Sequence, residues 1–253
     1  MKIYTYFQDI GHPKQNELVE LWKISWTSKG YNPIVLNLND AKKHPYFQTF
    51  ESEMLEIFKK ITGAEVGNSY CMSCFFRWLA YANQNEEKFY VSDYDAINFN
   101  FPIKEPGDKL HFFDSACPFF VSGSPQQFEN LCKSFISVGK ERIDSLKQKS
   151  NTFHDQDFFI KNFTSENNPN FKKYLKKYNI LMTRDRRNFG GYYDPIEDKC
   201  LAGPSIGLID KSPYKVFHIS HENCEIMQFK YPELNKYSVP DLRIFLIKKL
   251  LSL

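Results

Sequence analysis

The sequence predicts an α/β protein built on a mainly parallel sheet flanked by helices. Three observations carry that expectation. Apolar runs of strand length alternate with amphipathic helical stretches through the first hundred residues. The joins between them hold Gly, Pro, Asn and Asp, the residues of turns. The run EKFYVSDYD then ends on two aspartates, and ligands of parallel sheets bind beyond the carboxyl ends of strands.

In chain order, KIYTYF (Lys2 to Phe7) reads as a strand, followed by the turn residues Asp9, Gly11 and Pro13. NELVELWKISWTSKG carries Leu18, Leu21, Trp22 and Trp26 at helical spacing, with Gly30 as its stop. The two tryptophans, one helical turn apart, are expected in the core. PIVLNL (Pro33 to Leu38) is a second strand, EMLEIFKKITG a helix ending at Gly63, and SCFFRWLAYAN a further helix before the strand EKFYVSDYD. Beyond Pro102 the pattern loosens. HFFD and PFFVSGS read as strands, PQQFENLCKSFISV as a helix, and HDQDFFIKNF as the start of another. The Lys-, Arg-, Asn- and Gly-rich stretch from Asn167 to Tyr193 is expected largely on the surface. YKVFHISH is a late strand and DLRIFLIKKLLSL a terminal amphipathic helix. No internal repeat or long linker divides the chain, so 1–253 is expected as one domain.

At 253 residues the chain can bury a sizeable core, and 42% hydrophobic with 25% charged residues is the balance of a globular protein. The 24 Phe and 15 Tyr stand out, because aromatic side chains fill cores and also line sites for rings and sugars. A formal charge of +3 is too small to indicate a nucleic-acid partner. The opening MKIYTYFQDI has no apolar signal core, so the six cysteines are expected as thiols and the protein as cytoplasmic. The Asn- and Lys-rich composition suggests an AT-rich genome, a viral one included, which would place it in a host cytoplasm. No stretch reaches the ~18 to 20 apolar residues of a membrane span. The terminal helix, apolar with a Lys pair, leaves room for peripheral membrane contact.

Asp93 and Asp95 carry the chemistry. Residues i and i+2 of a strand share a face, so a strand continuing through Asp95 would aim both carboxylates the same way. Such a pair suits Mn²⁺ or Mg²⁺, hard ions that take oxygen ligands and commonly bridge carboxylates to substrate phosphates. A cation there would offset the charge on a departing diphosphate.

The segment SCFFRWLAYANQNEEKFYVSDYD (Ser73 to Asp95) resembles the pattern S-D-x-x-R, helix, G-G-x-Y-x-D-x-D of nucleotide-sugar transferases with the GT-A fold, the small capsular and mannosyl-type families with the DXD motif. Ser73, Arg77, Tyr90, Asp93 and Asp95 carry the resemblance, while Cys74 and the missing Gly-Gly depart from it. The resemblance implies a metal-dependent glycosyltransferase acting on a UDP- or GDP-sugar and a hydroxyl of a glycan or glycoprotein. It implies residues 1–100 as the nucleotide-sugar half, 101–225 as the acceptor half and 226–253 as a helical tail. Asp93 and Asp95 would bind Mn²⁺ or Mg²⁺, and Arg77 the donor. Asp155 or Asp157, in FHDQDFF, would face the acceptor as catalytic carboxylate. His218 or His221, in VFHISH, would complete the metal shell, with His218 preferred. Tyr6, Ser122 and Gly123 are implied donor contacts, and Asn37 to Asp40 a reach toward the ribose. Two rival readings share the acid pair: a degenerate module that binds a nucleotide sugar or glycan without turnover, and a metal-dependent nucleotidyltransferase. The latter usually wants a Gly-rich phosphate loop, and IGHPKQN is poor in glycine.

Overall fold

The computed structural model describes residues 1–9, 11, 14–63, 69–114, 117–145, 155, 176–177, 179–182, 189–201, 208–211 and 214–253. The architecture is α/β. A mostly parallel six-stranded sheet, flanked by helices, has the order β2-β1-β3-β6-β5-β7. Its strands are β1 (Lys2–Tyr6), β2 (Asn32–Leu36), β3 (Phe89–Ser92), β5 (Leu110–Phe112), β6 (Phe120–Gly123) and β7 (Ile180–Met182). A five-stranded sheet runs β10-β9-β8-β11-β4, from β4 (Ala96–Asn98), β8 (Phe189–Asp194), β9 (Lys199–Leu201), β10 (Leu208–Ile209) and β11 (Val216–His218). The chain divides into two compact units, each gathered from separated segments. One comprises 1–34, 92–105 and 184–253, the other 35–91 and 106–183.

In the first unit, helix α1 (Gln15–Thr27) buries Leu18, Val19, Leu21, Trp22, Ser25 and Trp26, the stripe its sequence spacing predicts. Both tryptophans are fully buried, and each indole N–H finds an acceptor flanking the acid pair. Trp22 Nε1 donates to Ser92 Oγ at 2.9 Å and Trp26 Nε1 to the Ala96 carbonyl at 3.1 Å. The helix thereby grips the segment just before Asp93 and just after Asp95. Gly30, at φ +82°, turns the chain out of α1, and a Cβ there would lie 2.7 Å from Ile103 Cδ1.

The tail of this unit is α6 (His221–Lys230), a 3-10 turn (Pro232–Lys236) and α7 (Val239–Leu251). Ser220 caps α6 through Asn223 N and Ser238 caps α7 through Asp241 N, each at 3.3 Å. Helix α7 buries Leu242, Ile244, Leu246, Ile247 and Leu250, and is tied to α1 by Lys14–Asp241 at 2.6 Å and Lys248–Glu17 at 2.8 Å.

The second unit packs α2 (Leu38–Lys42), α3 (Phe47–Thr62), α4 (Ser69–Ala82) and α5 (Pro125–Ser145) with its strands. Asn37 and Asp40 form a reciprocal cap on α2: Asn37 Oδ1 accepts from Asn39 N at 2.8 Å and Asp40 Oδ2 from Asn37 N at 2.9 Å. Gly139 of α5 lies against α3, where an added Cβ would meet Ile57 Cγ2 at 2.9 Å. Trp78 of α4 stacks on Phe128 at 6.1 Å between ring centroids, and Phe75 meets Phe135 edge-on at 5.3 Å.

One sequence expectation changes. The strand before the acids stops at Ser92, and the Ala96 amide closes a turn onto the Asp93 carbonyl at 3.0 Å. Within Asn167 to Tyr193, the described Lys176, Lys177, Asn179 and Leu181 are exposed, and the apolar positions Ile180, Phe189 and Tyr193 are buried in strands. All six cysteines are thiols, and burial lifts Cys200 and Cys224 to about 12. No described helix is long and apolar enough to cross a membrane.

Candidate metal centre

The acid pair sits on the turn from β3 to β4, and strand register brings His218 to it. β11 runs antiparallel to β4 with His218 opposite Ala96, and the Ile219 amide donates to the Asp95 carbonyl at 2.9 Å. His218 Nε2 lies 3.4 Å from Asp95 Oδ1. A carboxylate oxygen of Asp93 lies within 4.8 Å of a ring nitrogen of His218. The turn, rather than a shared strand face, is what gathers these ligand atoms.

Between the acids, Tyr94 points into the unit. It meets Phe7 edge-on at 5.7 Å, and its hydroxyl accepts from Gln15 Nε2 at 3.2 Å. Burial, then the neighbouring Asp95 charge, raises its pKa. Arg243 of α7 completes the arrangement. Its Nη2 donates to Asp95 Oδ2, its Nε donates to the Ile219 carbonyl at 3.0 Å, and its guanidinium lies 6.0 Å from the Tyr94 ring centroid.

Electrostatics follow from that geometry. Burial would push Asp95 upward, but Arg243 and His218 outweigh it and hold the carboxyl down at about 2. Burial would lower His218, yet Asp95 and Asp93 outweigh it and raise the imidazole above its ordinary value. One atom is left over. Asp95 Oδ1 is buried and has no hydrogen-bond partner among the described residues. An unsatisfied carboxylate oxygen is costly unless a cation or donor takes it. Two ligand atoms each about 2.1 Å from one metal sit about 3.0 Å apart at a right angle and about 3.4 Å at a tetrahedral angle. The Oδ1–Nε2 separation is in that range, so Asp95 and His218 fit a shared divalent ion.

The other sequence-derived residues stand elsewhere. His221 heads α6, is 66% exposed and pairs with Glu225 at 3.1 Å, so register selects His218 of the two. Arg77 is engaged by Asp155, whose Oδ2 accepts from Arg77 Nε at 3.0 Å, Arg77 Nη2 at 2.6 Å and Trp78 Nε1 at 2.8 Å. Three donors converge on that oxygen. Asp155 is thus described as the buried partner of α4, and Asp157 lies outside the described residues. Ser122 and Gly123 are buried in β6. A Cβ on Gly123 would sit 2.8 Å from Leu110 Cδ1, so close packing accounts for that glycine. Tyr6 is buried at the end of β1, its hydroxyl donating to Gln8 Oε1 at 3.2 Å.

Arg243 and Tyr94 were not singled out by sequence reasoning. The available signal was Arg243's place on the apolar stripe Val239, Leu246, Ile247, Leu250 of its helix, where a cation needs a buried acid.

A scan against protein-family models finds no match, and a search of curated proteins finds no relative.

Proposed function

We propose that this protein is a metal-dependent glycosyltransferase of GT-A-like build, moving a sugar from a UDP- or GDP-sugar to a hydroxyl of a glycan or glycoprotein. The supporting observation is the buried Oδ1 of Asp95, which makes no geometric hydrogen bond among the described residues and lies 3.4 Å from His218 Nε2 at the turn after β3. A histidine among oxygen ligands favours Mn²⁺ over Mg²⁺. When bound, the ion would supply positive charge against a departing nucleoside diphosphate.

The chain's own residues have distinct tasks in this reading. Asp93 and Asp95 offer carboxylate oxygens, and His218 offers Nε2 once its proton has left. Trp22 and Trp26 hold the acid turn from both sides, which keeps the ligand atoms in place before any donor arrives. A donor role for Arg77 requires its guanidinium to share Asp155, and the metal site stands without it.

The test is a thermal-shift panel of nucleotide sugars with and without Mn²⁺, followed by donor hydrolysis. A UDP- or GDP-sugar should raise the melting temperature only with Mn²⁺, and a ligand at 100 times its Kd adds about 2.7 kcal/mol. The shift should vanish in Asp93→Asn. No shift with either nucleotide, or an equal shift in the variant, would remove the reading. Binding without turnover across acceptors would favour the non-catalytic module.

A further inference from the structure

Arg243 reaches the acid turn and makes two contacts that point in different directions. Nη2 holds Asp95 Oδ2, while Nε holds the carbonyl of Ile219, the residue after His218. We infer that Arg243 is the positioning residue of the cation site, a two-point brace from the C-terminal helix that fixes Asp95 Oδ1 toward His218. This inference rests on the metal site proposed above.

The argument is geometric. Asp95 and His218 are brought together by backbone pairing, the β4–β11 register and the Ile219 N to Asp95 O bond at 2.9 Å. A backbone bond leaves the Asp95 side chain free to rotate. Arg243 removes that freedom by taking Oδ2, so the second oxygen has to face His218 Nε2. The same guanidinium ties down the carbonyl following the histidine, so both ligand-bearing segments share one planar fork. Only arginine has that shape: its rigid donors reach two acceptors at once, whereas a lysine ammonium is a point charge on a flexible stem. The brace is itself held. Leu242 and Ile244 flank Arg243 in α7 and are buried, and Arg243's side chain is 16% exposed against 13% for Asp95. Partners that orient a metal ligand typically matter by about 10- to 100-fold in metal affinity.

A rival role has the opposite sign. If Arg243 were merely a built-in substitute for the metal, competing for Asp95, removing its charge would tighten Mn²⁺ binding. The charge-preserving and charge-removing variants therefore separate the two.

The experiment is Mn²⁺ titration of the full chain, read by loss of the free-ion EPR signal, for wild type, Arg243→Lys and Arg243→Gln. Cooperative thermal melts check folding. The brace predicts that Arg243→Lys, with charge retained, binds Mn²⁺ about 10-fold or more weakly, and that Arg243→Gln does no better. Wild-type affinity in Arg243→Lys, or tighter binding in Arg243→Gln, overturns it. A wild type that takes up no Mn²⁺ instead sinks the metal site itself, and the brace with it. Should both variants fail to fold, the wild type still answers through the Arg243 Nε–H NMR signal. Substoichiometric Mn²⁺ must broaden that signal, and an unbroadened signal refutes the assignment.

Discussion

Each compact unit contains a buried arginine–aspartate pair, and the two are used differently. In one unit Arg77 meets Asp155, and Trp78 adds a third donor to the same oxygen. In the other, Arg243 takes one oxygen of Asp95, while the second makes no geometric hydrogen bond among the described residues and pairs with His218 across 3.4 Å. Both pairs close long loops, 78 and 148 residues apart in sequence. Asp155 Oδ2 is saturated and acts as a tether. Asp95 is held by half, and the remaining half is what makes it a candidate ligand. A carboxylate's part thus depends on the partners the fold brings to it as well as on its motif.

The widest separation between the pairs should come from removing each acid. Asp155→Ala removes the acceptor of two Arg77 donors and of the Trp78 indole N–H in the interior. The expected loss is about 3–5 kcal/mol of unfolding free energy, measured by urea denaturation, with Mn²⁺ affinity unchanged in whatever folds. A loss of Mn²⁺ binding in that variant would erase the distinction between the two pairs. The isosteric Asp95→Asn should behave conversely. Its Mn²⁺ affinity, measured by calorimetric titration, should drop beyond the about 10- to 100-fold expected of residues that only orient a ligand.

A pH series sharpens the same comparison without metal. His218 has a raised folded value, so its contribution to stability is fully present below the unfolded pKa of about 6.5. It fades as pH rises through the folded value. Asp95 has the reverse sign: its contribution is present above about 3.9 and fades as pH falls toward about 2. The stability difference between wild type and His218→Gln should therefore shrink from pH 6 toward roughly pH 9. A difference that grows over that range would mean the imidazole is not held by the acids. The smallest effect belongs to the half-exposed Lys248–Glu17 bridge between α1 and α7. Lys248→Ala should cost about 0.5 kcal/mol or less in a chemical denaturation curve.

Much of the fold was readable because its signals are local. The Leu18–Trp26 stripe, the Gly63 stop at φ +77° and the strand–helix alternation all work within a few residues. The acid pair was legible for the same reason, although the turn at Asp93 was not, since nothing in YVSDYD marks where the strand yields. The choice between His218 and His221 lay in the β4–β11 register, which joins residues about 120 positions apart. Arg77 shows what a local motif leaves out: its position suggested a phosphate, and it also has an acid partner 78 residues downstream. Arg243 failed in the other direction, because a cation in an apolar stripe announces a buried acid without saying which.

The central claim is that Asp95 and His218 share a divalent cation while Arg243 keeps the other carboxylate oxygen. The most direct measurement is anomalous diffraction from crystals soaked in Mn²⁺. The account predicts a peak about 2.0–2.3 Å from both Asp95 Oδ1 and His218 Nε2, with Arg243 still on Oδ2. A peak bound elsewhere, no peak at saturating Mn²⁺, or an Arg243 displaced from Asp95 by the ion would contradict it.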